Sequence, residues 1–215
     1  MECLVGGGEA LTLSQIAKEC GRSVSEIQRM IHVLEQRGYL DRTEANAYRP
    51  GLKLYEMGRF RHPFRHLQTV AEPIMGALAE RLGQSIHLSV EDRGQMLILS
   101  ETLGSGLASV ALRVGSRHPL EETLSGRILL LNYPNKGRVA DRRQFQTRGY
   151  LTAASRLFSG IQDVGVPLRA GPGVTIQAVL ACSCLKPKGQ SGVPAGLVEN
   201  LLEAARVIAR SYDPA

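Results

Sequence analysis

The spacing of apolar residues predicts two short helices close to the N-terminus. Each begins with a capping box, in which a hydroxyl residue at the N-cap is followed three positions later by Gln or Glu. Thr12 and Gln15 form the first box, and Ser23 and Glu26 form the second. Gly21 ends the first helix, because glycine adopts the left-handed conformation at little cost. The predicted apolar stripes are Leu13, Ile16, Ala17 and Cys20 in the first helix, and Ile27, Met30, Ile31 and Leu34, packed inward, in the second.

The second predicted helix, which ends at Gly38, also has a polar outer face. That face carries Ser25, Glu26, Gln28, Arg29, His32 and Gln36. Two helices joined by a short Gly-containing turn, the second of them polar outside, can place a helix in the DNA major groove. Residues 39–42 and 47–49 predict two short strands around residues 43–46, which is the pattern of a β wing. An ordinary helical hairpin is the alternative interpretation.

Net charge alone does not favour DNA binding by this segment. Residues 1–58 contain seven Lys or Arg residues and eight acidic residues, although the whole chain has a formal charge of +6. A phosphate-binding surface usually shows a basic excess, so phosphate contact depends on where the arginines project. The arginines that could share one side are Arg22, Arg29, Arg42 and Arg49. Residues 58–66 add a basic connector that contains Pro63.

Length and composition indicate a globular chain of one or two domains that stays in the cytoplasm. The chain has 215 residues, 43% of them hydrophobic, and no apolar run approaches the length of a membrane span. Glu2 stands where a signal peptide carries a base. The cysteines are therefore expected to be thiols. Cys182-x-Cys184 lacks a second Cys or His pair, so we expect neither a metal site nor a cofactor.

After a linker helix over Leu52–Phe60, the pattern predicts an α+β domain built on an antiparallel sheet. The predicted helices are Pro73–Leu82, Thr123–Leu131 and Pro194–Tyr212. The predicted strands are Ser85–Glu91, Met96–Ser100, Ala108–Val114, Val164–Leu168 and Val174–Ser183, with a turn at residues 170–173. The first strand alternates apolar and polar residues, so it should be half-buried. Helices should cover one face of the sheet, with a small-molecule cavity on the other.

The order of several short motifs resembles that of IclR-type bacterial transcriptional regulators over nearly the whole chain. The N-terminal motifs are Leu11–Ala17, Gly21–Arg29, Leu34–Leu40 and Tyr48–Arg49. The later motifs are Gly83–Val90, Arg113–Leu120, Ser125–Arg127, Arg148–Tyr150 and Val166–Pro167. The resemblance implies a winged helix-turn-helix, a linker helix that supports dimerisation, and a GAF-like α+β effector domain. It also implies homodimers or homotetramers on palindromic double-stranded DNA operators, and effectors that are organic acids, aromatic acids or sugar-derived metabolites.

The resemblance also assigns domains and site residues. It places the DNA-binding domain in residues 1–58, the linker helix in residues 51–66, and the effector-binding and oligomerisation domain in residues 67–215. The residues expected to face DNA are Ser25, Glu26, Gln28, Arg29 and His32, together with Arg22, Arg42 and Arg49. The residues expected to contact the effector are Leu124, Ser125, Gly126, Ala153, Asp163, Ala181 and Ser183. Residues 1–10 and 132–147 are shorter than the family's usual segments, which implies a more open pocket or missing residues.

The helix predicted to begin near Thr123 has a chemistry suited to an effector. Free backbone N–H groups at a helix N-terminus attract oxygen-rich groups. Ser125 would add a hydroxyl, and Gly126 would let the ligand approach the backbone closely. The alternative is that a hydroxyl residue here only caps its own helix.

The later strands supply the remaining candidate contacts. Ala181 and Ser183 share one face of a strand and would form a pocket floor, with Cys182 and Cys184 facing away. Asp163 would accept a hydrogen bond from an effector hydroxyl, or would simply end a loop.

An enzyme is the main alternative class of function. The sequence shows no nucleophile–base motif and no metal triad, and Gly104-x-Gly106 is only a fragment of a dinucleotide fingerprint. His118 near Glu121 is the best acid–base cluster, for which a polar loop is the simpler interpretation. We therefore predict a ligand-responsive DNA-binding regulator without catalytic residues. The remaining alternative is a stand-alone small-molecule-binding module with weak or lost DNA binding.

Overall fold

The computed structural model describes residues 3–4, 8–60, 62–106, 110–169, 175–185 and 193–212. The chain divides into two compact units, Met1–Arg65 and His66–Ala215. Each unit has its own hydrophobic core.

The N-terminal unit combines helices with a small antiparallel sheet. Its elements are β1 (Leu11–Thr12), α1 (Leu13–Glu19), α2 (Val24–Gln36), β2 (Leu40–Arg42), β3 (Ala47–Pro50) and α3 (Leu52–Phe60). The strands pair in the order β1–β3–β2, so the predicted wing is present and gains a third strand. The sequence does not predict β1, because a strand of two residues shows no periodicity and Thr12 fits the N-cap of the first helix.

Both predicted capping boxes are confirmed. The Gln15 side chain accepts a hydrogen bond from the backbone N–H of Thr12 at 2.8 Å, and the Glu26 carboxylate accepts one from the backbone N–H of Ser23 at 2.7 Å. Each N-cap hydroxyl in turn accepts from the third residue of its helix. The two glycines predicted to end these helices have positive φ angles. Local sequence therefore determines where α1 and α2 begin and end.

The core of the N-terminal unit forms between α1 and α2. Ile27 and Ile31 of α2 are buried as predicted, and Leu34 is half-buried. Met30, which was predicted to pack inward, is 53% exposed, and Cys20 of the first stripe is also exposed. The reason is geometric: successive helical residues rotate by roughly 100° about the axis. The row of Ile27 and Ile31 faces the core, and Met30 falls on its flank.

The C-terminal unit contains one six-stranded antiparallel sheet and the helices that cover it. Its elements are α4 (Arg65–Leu82), β4 (Ile86–Asp92), β5 (Gln95–Thr102), β6 (Arg117–Pro119), α5 (Leu124–Leu129), a short 3-10 helix (Leu130–Asn132), α6 (Val139–Arg148), β7 (Leu151–Ala154), β8 (Ile161–Arg169), β9 (Ile176–Leu185) and α7 (Leu197–Ser211). The strand order is β6–β5–β4–β9–β8–β7. None of the helices in the described ranges is both long and apolar enough to cross a membrane.

The predicted strand over Ala108–Val114 is wrong where the structure describes it. Residues 110–114 are not in a strand, and the sheet edge is β6 instead. The backbone N–H of Leu112 donates to the Glu101 carboxylate at 2.6 Å rather than to a neighbouring strand. Residues 108–109 and the predicted turn at residues 170–173 lie outside the described residues.

Helix α6 lies mostly within the 132–147 segment, where no helix was predicted. Its residues are largely polar and show no apolar stripe, so helical periodicity could not reveal it. Its buried residue is an acid, Asp141.

The centre of the sheet is covered on both faces, whereas helices were predicted on one. β4 is buried from Ile86 to Val90 and β9 from Ala178 to Cys184, so β4 is not the half-buried strand that its alternation predicted. Helix α5 is buried along its whole length and belongs to the same core cluster as Val179 and Ala181 of β9. Helix α7 also contacts β8 and β9. Burial on both faces means that polar residues within these strands need hydrogen-bond partners.

Candidate functional site

Helix α2 presents one continuous polar face to solvent. Ser25, Arg29, His32 and Gln36 follow one another at spacings of three and four residues, on the side opposite the buried Ile27–Ile31 row, and all four are exposed. Nε2 of His32 and Nε2 of Gln36 are 3.0 Å apart. Gln28 is also exposed, nearer the edge of this face. The arrangement can offer several hydrogen-bonding side chains at once to the edges of bases.

Glu26 is engaged at the start of the same helix. Its Oε2 accepts hydrogen bonds from both the backbone N–H and the hydroxyl of Ser23, each at 2.7 Å, and its Oε1 lies 3.7 Å from Nη1 of Arg22. The hydrogen bonds from Ser23 hold the pKa of Glu26 below its usual value. The carboxylate is thus ionised and used for capping. The Ser25 hydroxyl lies 3.1 Å from that of Ser23, which leaves Arg29 as the freer group near the helix start.

The wing carries two exposed arginines. Arg42 lies over the ring of Tyr48, with 5.9 Å between the guanidinium carbon and the ring centroid. Nε of Arg49 is 3.8 Å from a carboxylate oxygen of Asp41 on the neighbouring strand. Both contacts are at the surface, so they hold the side chains loosely and leave their charge available to a polyanion.

The C-terminal unit contains a small cavity that is partly open to solvent. The predicted effector residues that line it are Leu124, Ser125, Asp163, Ala181 and Ser183. Gly126 and Ala153 are not among its lining residues. The polar side chains that prediction missed are His87, Glu122, Thr123 and Ser155. His118, which the sequence singled out with Glu121, lines the cavity together with Glu122 instead.

One end of the cavity is polar. Asp163 of β8 pairs with Ser183 of β9 in the sheet register, and the Ser183 hydroxyl donates to Oδ1 of Asp163 at 2.7 Å. Burial raises the pKa of Asp163, while hydrogen bonds from Ser183 and Ser155 and the charge of Arg127 act in the opposite direction. Asp163 therefore lies within a strand and faces the cavity, and does not end a loop.

The Thr123 hydroxyl caps helix α5, which is the simpler of the two interpretations offered for this helix start. Its Oγ1 accepts from the backbone N–H of Gly126 at 3.0 Å. The close approach that Gly126 permits is to the protein itself: a Cβ at this position would lie 2.3 Å from the carbonyl oxygen of Leu120. The Ser125 side chain takes no part in this cap, and its Oγ lies 3.5 Å from Nε2 of His87.

Cys182 and Cys184 are buried thiols that do not line the cavity. Sγ of Cys184 donates to the carbonyl oxygen of Gln162 at 3.2 Å. The neighbouring Cys184 and burial both raise the pKa of Cys182, so its thiol stays protonated. Within the described ranges, no group of three or more His, Cys, Asp or Glu side chains is placed to hold a metal ion.

His87 is the buried histidine of the cavity wall. It lies on β4 opposite Ala181 of β9, and burial lowers its pKa to about 4. Sequence alternation marked it only as the polar face of a half-buried strand. Because β4 is covered on both sides, this polar face points into the protein and supplies a neutral imidazole to the cavity.

The lowered pKa of His87 makes stability depend on pH. The unfolded chain binds a proton at about pH 6.5, whereas the folded chain resists protonation down to about pH 4. The contribution of neutral His87 to the free energy of unfolding is fully present above pH 6.5. It decreases as the pH falls from 6.5 towards 4, and the total loss is about 3 kcal/mol. We expect His87→Gln to remove this part of the pH dependence, measured by urea unfolding from pH 7 to pH 4, whereas His66→Gln at the exposed start of α4 should retain it. An unchanged slope in His87→Gln would contradict the assignment.

The fold and the two sites define a winged helix-turn-helix protein that carries a second domain with a cavity of mixed polar and apolar lining. Residues 1–44 match the IclR helix-turn-helix domain, and residues 64–164 match the bacterial transcriptional regulator IclR C-terminal domain. These matches together span well over half of the chain, and the chain belongs to the IclR family.

Curated relatives are bacterial regulators. The chain is 31% identical over 150 residues to the HTH-type transcriptional regulator XynR of Escherichia coli, a match that covers 68% of this chain and 59% of XynR. It is 25% identical over 127 residues to the HTH-type transcriptional regulator KipR of Bacillus subtilis, covering 59% of this chain and 51% of KipR. The chain thus spans between half and three-fifths of the length of these relatives.

Solved structures resemble the chain over almost its whole length. An IclR homologue from Microbacterium hydrocarbonoxydans, complexed with 4-hydroxybenzoate, superposes with a TM-score of 0.79 at 25% identity, covering 98% of this chain and 94% of that one. The IclR protein of Thermotoga maritima shares the fold with a TM-score of 0.74 at 24% identity, covering 98% and 95%.

Proposed function

We propose that this protein is a transcriptional regulator whose affinity for operator DNA is modulated by a small molecule bound in the C-terminal unit. The observation that carries the proposal is the exposed polar face of α2 beside a β wing, in a chain whose second unit contains a cavity. The proposed domains are residues 1–58 for DNA binding, residues 51–66 as linker, and residues 67–215 for effector binding and oligomerisation. The protein acts in the cytoplasm, without a cofactor and without catalysis.

Self-association through α3 is part of the proposal. No residue of α3 is buried within the chain, although the helix carries Leu52, Tyr55, Met57 and Phe60, all exposed. An apolar helix surface of this kind is suited to contact with a second copy. A homodimer or homotetramer would place two or more α2 helices on a palindromic operator.

The effector belongs to the range that the family resemblance implies, namely organic acids, aromatic acids and sugar-derived metabolites. The structure of the IclR homologue complexed with 4-hydroxybenzoate, a small aromatic acid, supports an effector of this kind. Asp163, Ser183, Ser125 and Leu124 are the proposed contacts, because the structure brings them together in the cavity wall.

The deciding experiment is fluorescence-anisotropy binding to the DNA upstream of the gene for this chain. A salt series and a scrambled duplex accompany it. Sequence-dependent binding that weakens steeply as salt rises would support the regulator. Equally weak binding to both duplexes would support the alternative, a stand-alone small-molecule-binding module that has lost DNA binding.

Arg29→Ala is expected to weaken operator binding by about 1–3 kcal/mol, since Arg29 lies at the centre of the exposed face of α2. His32→Ala should act in the same direction. Arg37→Ala is the matched control, because Arg37 follows the last turn of α2 and lies off that face. Anisotropy titrations of the three variants measure the effect, and wild-type affinity in Arg29→Ala would overturn the proposed DNA-binding face.

A further inference from the structure

Helix α2 begins with an exposed apolar side chain. Val24 is its first residue and is 40% exposed. It belongs neither to the core cluster of the N-terminal unit nor to the partly buried residues packed against that cluster. Ser23, the N-cap residue, is in the extended conformation, so no earlier helical turn covers Val24. The two methyl groups of Val24 are therefore free to contact another molecule.

A free amide lies beside Val24 on the helix surface. Gln28 is one turn further along α2, and residues four apart in a helix have Cβ atoms about 5–6 Å from each other. Gln28 is exposed, and no residue in the described part of the chain makes a hydrogen bond to its side chain. Ser25 and Glu26, by contrast, contact Ser23 at the helix cap. The first two turns of α2 thus present an apolar group and an amide next to each other.

The start of a recognition helix is the part that reaches the base edges in the major groove. There an A·T pair offers N6–H and N7 of adenine, O4 of thymine and the C5-methyl group of thymine. That methyl group is the apolar feature of the major-groove edges, since a G·C pair offers only hydrogen-bonding groups. A glutamine amide can bond to adenine N6 and N7 at once. Val24 and Gln28 together therefore match an A·T sequence better than a G·C sequence.

A protein partner would need a wider apolar surface than Val24 provides. The other exposed large apolar residues of α2 are Met30 and Val33. Because successive residues rotate by roughly 100°, Val33 lies on the opposite side of the helix from Val24, and Met30 lies about a third of a turn away. The neighbours of Val24 on its own side are the polar residues Ser25 and Gln28. Val24 therefore does not belong to a continuous apolar patch on α2 of the kind that binds proteins.

We infer that Val24 is a sequence-determining contact of α2, which packs against the C5-methyl group of a thymine while Gln28 reads an adenine in the same or the next base pair. The inference rests on the proposed DNA-binding role and names a base that the protein recognises. Packing the methyl group against Val24 removes apolar surface of both from water. Burial of one group of this size changes a dissociation constant about fourfold.

Uracil in place of thymine tests the inference, because it removes the methyl group and keeps the hydrogen-bonding groups of the base. The upstream duplex of the binding experiment is compared with the same duplex that carries deoxyuridine at every thymidine position. Fluorescence anisotropy should give the wild-type chain a dissociation constant at least about fourfold higher on the uracil duplex. Equal affinity for the two duplexes would overturn the inference.

Val24→Ala should bind the thymine duplex at least about fourfold more weakly than the wild type, and its affinities for the two duplexes should agree within about twofold. Alanine is a better helix former than valine, so α2 should persist. Val33→Ala is the matched control, because Val33 is also 40% exposed but lies on the opposite side of α2, and it should keep the wild-type preference for thymine. An undiminished preference in Val24→Ala would assign the methyl contact to another residue and overturn the inference.

Single substitutions in the duplex locate the contact. The thymine that Val24 touches is the position where uracil weakens binding by the wild type but not by Val24→Ala. At an adenine paired with that thymine or adjacent to it, 7-deazaadenine removes the N7 acceptor. It should weaken binding by the wild type at least about threefold and leave Gln28→Ala unaffected. The lack of any such adenine would overturn the joint reading by Val24 and Gln28.

The outcome is distinguishable from that of the regulator proposal. Equally weak binding of the wild type to the upstream and scrambled duplexes would reject the regulator and the thymine contact together. Sequence-dependent binding that is the same on the thymine and uracil duplexes would reject the thymine contact alone.

Discussion

Arg127→Ala is expected to lower the free energy of unfolding of the C-terminal unit by about 3–5 kcal/mol. Arg127 of α5 and Asp141 of α6 are 8% and 3% exposed. Nε of Arg127 donates to Oδ2 of Asp141 at 2.8 Å, and Nη2 donates to Oδ1. Removing the guanidinium leaves a buried carboxylate without its ion-pair partner, which costs far more than the pair itself contributes.

Urea unfolding followed by circular dichroism measures this effect. Two further variants test whether the loss comes from the buried, unpaired charge. Arg117→Ala breaks the Arg117–Asp92 pair, whose side chains are each 38% exposed, and should cost no more than about 1 kcal/mol. Arg127→Met combined with Asp141→Leu removes both buried charges, so it should recover most of the stability lost in Arg127→Ala. Equal losses in Arg127→Ala and Arg117→Ala would contradict the burial argument.

Gly126→Ala is expected to destabilise the C-terminal unit by at least about 4 kcal/mol, beyond the usual range for overpacking. The added Cβ would lie 2.3 Å from the carbonyl oxygen of Leu120 and 2.6 Å from its Cα. These are main-chain atoms and cannot rotate away. The Thr123 hydroxyl, 2.7 Å from the new Cβ, would also be displaced from its cap on α5. Loss of the cap and of the Leu120 contact together should move Leu124 and Ser125 out of the cavity wall.

Gly76→Ala is the matched control for this substitution. Gly76 lies inside α4, and a Cβ there would have no atom within 4 Å. Alanine should stabilise this helix by about 0.5–1 kcal/mol, because glycine loses more backbone freedom on folding. Thermal unfolding of the two variants should therefore shift in opposite directions. A wild-type melting temperature in Gly126→Ala would show that α5 can move away from Leu120.

Sequence reasoning predicts the N-terminal unit well because its signals are local. A capping box spans four residues, and both the helix starts at Thr12 and Ser23 and the strands of the wing follow from such short patterns. Met30 was misplaced because a stripe of apolar residues does not reveal which row of a helix meets the core. That depends on how α1 and α2 pack, and packing is not local.

The C-terminal unit was less predictable because its layers come from distant parts of the chain. His87 has the pattern of a surface residue in a half-buried strand, but α5 packs on β4 and buries it. Residues 110–114 have strand-like composition, but Glu101 takes the backbone N–H of Leu112 and no ladder forms. Asp163 and Ser183 could be proposed from the family resemblance. That they share a hydrogen bond follows only from the pairing of β8 with β9.

Thr12 belongs to two structures at once, and this gives the N-terminal unit a mechanical property. It is the last residue of β1, paired with Ala47 of the wing, and its side chain caps α1. If β1 frays from β3, the same movement withdraws the cap and loosens the first turn of α1. The wing and the helix-turn-helix therefore share one opening event. A force on the wing would therefore reach the first turn of α1 through Thr12, in addition to the core contacts that Leu40 and Tyr48 of the wing share with both helices.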